Sequence, residues 1–158
     1  MDIERQCKVQ GLLARYARAI DEDRLEEWPD FFLADGRYRV TTAENVARNL
    51  PLGLIHATSQ AMLRDRVRAL REANVYEAQR YRHVIGVPVV EPLAPGRVRA
   101  QAGFMVARIM HSGETTLFAT GRYDDQIVLD AADGRPRFAE KLVVLDSRRI
   151  DTLLAIPL

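Results

Sequence analysis

Apolar residues near the start of the chain fall at Val9, Leu12, Leu13, Tyr16, Ala17 and Ile20. That spacing is i, i+3, i+4, i+7, i+8 and i+11, one face of an α-helix. Asp2 is placed to cap its N-terminus, and the acidic run at 21–23 ends it. A second, short helix is predicted over 25–32, anchored by Trp28, Phe31 and Phe32, with Pro29 tolerable only in a first turn. Ala34, Asp35 and Gly36 read as a turn, and 37–41 alternates as a short strand. Residues 43–50 form a weak helix or loop that stops at Pro51. Ser59 then caps a third helix, with Met62, Leu63, Val67 and Leu70 as its buried stripe. Arg64, Asp65, Arg68, Arg71 and Glu72 occupy its other faces, Arg68 and Glu72 at the i, i+4 spacing that supports a helix.

Beyond this helix the period changes from 3.6 to 2. Residues 82–90 are strand-like and stop at Pro92. A long alternating run over 97–111 puts Val98, Ala100, Ala102, Phe104, Val106 and Met110 on one face. Residues 111–114 make the turn of a hairpin, 115–129 return, 130–134 turn again, and 138–145 form the last full strand. Helices first and an antiparallel meander afterwards predict an α+β domain, its helices packed on one face of a curved sheet. The 158 residues, 47% of them apolar, suffice for one domain spanning 1–158 with a core that needs no disulfide.

Charge and candidate chemistry narrow the function classes. With 23 basic and 22 acidic side chains the net charge is +1, which gives no general attraction to nucleic acid or to an anionic membrane. No apolar stretch has the length of a secretory or membrane-spanning segment, so a cytoplasmic protein is expected. Cys7 is the only cysteine, which excludes an iron–sulfur cluster of the Rieske type, built on two Cys and two His. His56, His83 and His111 sit in a loop, a strand start and a turn, with no spacing that assembles a metal site. Glycine-rich phosphate loops are absent. An acid/base site without cofactor would draw on Tyr16, Asp30, Asp35 and His83. The simpler reading is that Tyr16 is a core aromatic with its hydroxyl satisfied at the rim, Asp35 a turn residue and His83 a structural or interface hydrogen-bonder. Acidic residues cluster over 21–30, and Arg64, Arg66, Arg68, Arg71, Arg80 and Arg82 cluster over 64–82 without a lysine. Such arginines suit either a solvated helix face or an interface. The tail over 150–158 is mostly apolar, so it docks on its own sheet or on a partner.

In order and spacing these pieces resemble the small (β) subunits of Rieske-type aromatic-ring-hydroxylating oxygenases. The resemblance runs through YARAID at 16–21, WPDFF at 28–32, YRV at 38–40 with Glu44 and Asn45, and MLRDRVRALREANVYE at 62–77. It continues through RYRH at 80–83, FMVARIMH at 104–111, GRYD at 121–124 and DTLL at 151–154. Residues 71–81 and 104–115 look most like the terephthalate dioxygenase and salicylate 5-hydroxylase branch. The resemblance implies a cystatin-like, scytalone-dehydratase-like cone without catalytic, metal or cofactor residues of its own. It implies a large (α) subunit as partner, carrying the Rieske cluster and a mononuclear iron, and a trimer of small subunits within an α3β3 hexamer. Arg64, Arg68, Arg71, Arg80, Arg82, His83, Leu153, Leu154 and Ile156 are the expected interface residues. A free-standing cone enzyme (a dehydratase, isomerase or cyclase) and a small-ligand binding module remain alternatives.

Overall fold

The computed structural model describes residues 2–51, 53–73, 78–148 and 156–158. Helix α1 (Ile3–Asp21) starts where the Asp2 carboxylate accepts the Arg5 N–H at 3.2 Å, satisfying one of the free donors of the first turn. Its buried face carries the six periodic residues together with Ala19 and Asp21. The next segment, Leu25–Phe31, is a 3-10 helix, because Pro29 offers no N–H to an α-helical ladder. Strand β1 (Phe32–Thr42) runs through residues 34–36, where a turn was expected. The turn chemistry is absorbed as an irregularity in pairing between Phe32 and Arg37. Thr42 caps the short helix α2 (Ala43–Ala47), β2 (Ile55–Ala57) follows, and Ser59 accepts the Met62 N–H at 3.2 Å at the start of α3 (Gln60–Ala73). Of the stripe expected on α3, Leu63 and Val67 are buried and Leu70 is half-buried, but Met62 is 44% exposed. Its sulfur instead accepts from Thr58.

The strand expected over 82–90 is two strands, β3 (Gln79–Ile85) and β4 (Val89–Ala94), broken between them at Gly86 and Pro88. Pro92 lies inside β4, which pairs only with β5 (Arg97–Met110), so its missing N–H interrupts no second ladder. β5, β6 (Thr115–Val128) and β7 (Arg137–Leu145) form the antiparallel meander, and β1 returns parallel to β7. The order is β2-β1-β7-β6-β5-β3. α1 packs on β3 and β4 at one end of the sheet, while α3 and the 3-10 helix pack together on β1 and β2 at the other. Helices joined in one core can reach both ends only if the sheet curls round them, which makes the cone. Where β6 bends against β7, Gly121 permits the approach: a Cβ there would lie 2.1 Å from the Val144 carbonyl oxygen.

The inner face of the meander holds a pair of opposite charges. Asp125 on β6 and Lys141 on β7 are direct cross-strand neighbours, 2.9 Å apart and fully buried. The Lys141 ammonium also stands 3.4 Å from the Tyr123 ring centroid and 4.6 Å from those of Tyr16 and Phe138. Burial pushes Asp125 up to about 6, against the pull of Lys141, and burial likewise lowers Lys141.

Removing one partner strands the other charge. Lys141→Met and Asp125→Leu are each expected to cost about 3–5 kcal/mol, and the double variant markedly less than their sum. Urea unfolding of the four proteins measures this, and additive costs would refute the coupling. The pH dependence has a definite sign as well. The unfolded chain releases the Asp125 proton near its ordinary 3.8, whereas the folded chain holds it to about 6. The folded state therefore binds more protons across that window, and this group makes stability fall as pH rises through it. The stability difference between the natural chain and Asp125→Asn should shift in that direction between those two values.

Candidate functional site

Besides the Asp125–Lys141 pair, two polar arrangements are built into the interior, and neither is the acid/base set considered from the sequence. The first joins α1 to β3. Asp21, last residue of α1, accepts the His83 main-chain N–H at 2.9 Å and lies 2.6 Å from Nδ1 of the same histidine. A carboxylate only accepts, so Nδ1 carries the hydrogen and donates. The His83 side chain is fully buried, and its Nε2 has no hydrogen-bond partner. A cleft of about 410 Å³ lies alongside, lined by Leu13, Ala17, Arg18, Arg82, His83 and Pro88 among others. Asp21 looked like part of the acidic end of a helix because its own neighbours, Glu22 and Asp23, are acidic; only the closing of α1 against β3 brings it to His83.

The second arrangement is in the middle of the cone. The Tyr16 hydroxyl donates to the main-chain oxygen of Leu158 at 2.7 Å, and the Tyr38 hydroxyl reaches the same oxygen at 3.3 Å. The Leu158 N–H donates back to Tyr38 Oη at 3.1 Å, and Trp28 Nε1–H donates to Tyr16 Oη at 3.2 Å. Tyr16 is thus not at a rim but in the centre, and burial holds its hydroxyl well above the usual phenol range. Tyr38 is raised to about 12 for the same reason. Asp30 is exposed and pairs with Arg64 at 3.0 Å, and Asp35 is exposed on β1. No hydrogen bond among the described residues links any two of Tyr16, Asp30, Asp35 and His83.

The expected interface residues divide by location. Arg71 is a clasp inside the chain. It grips the Asp23 carboxylate at 3.0 Å, the Asp23 carbonyl at 2.8 Å and Glu26 at 2.7 Å, and so holds the turn where Asp23 takes a left-handed φ of 58°. Arg64 ties α3 to Asp30, and Arg68 lies 3.7 Å from Asp65. His83 is buried, and Ile156, with Leu158, is packed into the core, so neither His83 nor Ile156 offers a side chain at the surface of this chain. Leu153 and Leu154 lie outside the described residues. Arg80 and Arg82 are exposed on the outer face of β3. Beside them stand Val84 (57% exposed), Met105 (48%) and Leu117 (65%). Register makes these neighbours: Val84 faces Met105, Arg82 faces Ala107, and Ala107 faces Leu117. This apolar patch edged by arginines on three adjacent strands was not legible in the sequence, because each strand contributes a single exposed apolar residue.

For metal, His56 and His111 are exposed and His83 is enclosed. Among the described residues no three His, Cys, Asp or Glu side chains gather as a metal-binding group, and the single Cys7 is exposed. The residues described do not fit a Rieske cluster. The Asp21–His83 pair is a structural lock: Asp21→Ala leaves two buried donors without their charged acceptor and is expected to cost about 2–5 kcal/mol in urea unfolding. A cost within the roughly 0.5 kcal/mol typical of surface substitutions would show that the lock is not formed.

Comparison with known proteins assigns the chain. Residues 1–141 match the SnoaL-like domain family. The chain is 45% identical over 153 residues to the β1 subunit of the terminal oxygenase component of terephthalate 1,2-dioxygenase from Comamonas sp., covering 97% of this chain and 98% of that one. It is 36% identical over 157 residues to the anthranilate 1,2-dioxygenase small subunit of Burkholderia cepacia, covering 99% and 96%. A solved structure described as the β subunit of an aromatic-ring-hydroxylating dioxygenase from Novosphingobium aromaticivorans DSM 12444 superposes with a TM-score of 0.87 at 35% identity, covering 97% of this chain and 96% of that one. The cone expected from the resemblance is the fold found, and the acid/base alternative loses ground to these relatives. With its SnoaL-like cone and relatives matched over nearly their whole length, the chain belongs to the small (β) subunits of aromatic-ring-hydroxylating dioxygenases.

Proposed function

We propose that this chain is a non-catalytic scaffold: it supports assembly of a large oxygenase subunit that holds the Rieske cluster and mononuclear iron and hydroxylates an aromatic acid. The relatives are named for terephthalate and anthranilate, both aromatic carboxylates, which supports that substrate class. Substrate choice then belongs to the large subunit. The expected stoichiometry is α3β3, with three small subunits in contact, and the expected compartment is the cytoplasm. Among the described residues no helix is long and apolar enough to cross a membrane.

The observation that carries the reading is the outward patch of Val84, Met105 and Leu117 with Arg80 and Arg82. Clustered apolar side chains on an outer sheet face mark a contact surface, and arginine is enriched at such surfaces. Arg80 and Arg82 are favoured over Arg64 and Arg71 because they stand beside the apolar patch, although Arg82 also lies 4.0 Å from Asp21; Arg64 and Arg71 are held by shorter ion pairs within the chain. Arg68, exposed on α3 at the other end of the sheet, is proposed as a separate contact.

Mass and iron content of the chain, alone and co-expressed with a large subunit, test the scaffold reading. An iron-free chain that converts to an iron-containing complex of hexameric mass is expected. A stable oligomer that ignores the large subunit would refute it. The double variant Met105→Asp/Leu117→Asp should weaken association at least about tenfold while the isolated chain still unfolds cooperatively.

A further inference from the structure

A basic trough lies along the outside of α1. It runs between α1, the 3-10 helix and the 130–136 turn that joins β6 to β7, as two adjoining clefts of about 490 and 520 Å³. Arg15, Arg135 and Pro136 line both clefts and so stand at their junction. The α1 residues that line the trough run from Lys8 to Arg18, roughly 15 Å of helix. Leu12, Phe31 and Pro136 give it an apolar floor.

Most cations of the trough are answered within the chain. Lys8 meets Glu4 and Asp130, Arg18 meets Glu22, Arg24 meets Glu22 and Glu27, and Arg137 meets Asp133. Arg15 and Arg135 are the exceptions. Both are exposed, and among the described residues neither guanidinium has a hydrogen bond or an ion pair. The acidic residues lining the trough do not supply the missing charge, since Glu27 is taken by Arg24 and Asp30 by Arg64. Arg15 is also seated: a Cβ at Gly11 would come within 3.1 Å of its Nη1, so the bare helix at Gly11 leaves room for the guanidinium.

Two unanswered guanidiniums on one trough repel each other and favour an anion between them. The planar fork of arginine suits a carboxylate, which accepts two parallel hydrogen bonds from it. A trough of this length takes an extended stretch of about four or five residues, more than one small anion fills. The trough is also separate from the apolar patch. Leu117 lies near the start of β6 and the 130–136 turn beyond its end at Val128, roughly 35 Å along the strand. A standard interface covers about 800 Å² per partner, a disc roughly 30 Å across, so one contact centred on the patch does not reach the trough.

We propose that this trough is a further docking surface for the large oxygenase subunit, seating an extended acidic segment whose carboxylates pair with Arg15 and Arg135. The inference rests on the scaffold reading and adds the place and the chemistry of one contact.

Dilution of the co-expressed complex tests it, with the assembled fraction read by mass photometry at low and raised salt. Arg15→Glu/Arg135→Glu should raise the concentration for half assembly at least about tenfold at low salt and make its salt dependence shallower. Arg15→Gln/Arg135→Gln should give a smaller rise of the same kind, and decides the matter if charge reversal unfolds the chain in urea. The matched change Arg37→Glu/Arg48→Glu, at exposed positions on β1 and after α2, should leave assembly within about twofold. Trough variants that assemble like the natural chain overturn the proposal, as does a control that loses as much. A shift in the oligomeric mass of the chain alone would make a second copy the occupant and overturn it too. If the natural chain forms no complex with the large subunit, the scaffold reading fails and this inference falls with it.

Discussion

A lysine ammonium enclosed by aromatic rings has to be neutralised where it stands, and in this chain that requirement sets the register of the sheet. Asp125 and Lys141 are cross-strand partners on β6 and β7, and they are buried together. A slip of one residue between these strands would move one charge to the opposite face and leave the other alone in the core, at a cost no small domain absorbs. Charge pairing therefore does for the middle of the sheet what apolar alternation alone does elsewhere. Tyr123 is two residues from Asp125 on the same face, and Phe138 stands on β7 near Lys141, so the pair also gathers the rings around it.

The remaining architecture follows from holding that centre. α1 supplies Tyr16 to the interior and ends at Asp21, which locks β3 through His83. The Arg71 clasp holds the turn after α1 against α3. With the centre of the cone packed, the outer face of β3, β5 and β6 is one place where exposed apolar side chains stand together. A cone of this kind offers an interior or an exterior for function. Here the interior is occupied by the chain itself and the exterior carries Val84, Met105 and Leu117, which fits a subunit that works by contact.

Much of the fold was legible because it rests on local rules. The α1 stripe, the Asp2 and Ser59 caps and the buried face of β5 from Val98 to Val106 all appear as the spacing implied. The departures have physical causes. The turn at 34–36 became part of β1 because neighbouring strands absorbed it as an irregularity. The strand at 82–90 broke near Gly86 and Pro88, and Pro92 was tolerated because β4 pairs on one side only. The candidate sites were less legible. Asp21 read as part of the acidic end of a helix, and His83 and Ile156 as interface residues, because burial of a polar or terminal residue depends on partners distant in the chain.

By itself the sequence determined the order of helices and strands, the α+β class, the impossibility of a Rieske cluster on one cysteine, and, through spacing of many short pieces, the family. Each of these depends on residues close together or on composition, which any chain carries without folding. Only the tertiary structure decided that Asp125 meets Lys141, that Asp21 meets His83, that the tail enters the cone at Tyr16 and Tyr38, and that three single apolar residues form one outer patch. Those are contacts between positions up to 142 residues apart. No periodicity specifies such contacts; they follow from strand register, from the curl of the sheet, and from the cost of leaving a buried charge or hydrogen-bonding group alone.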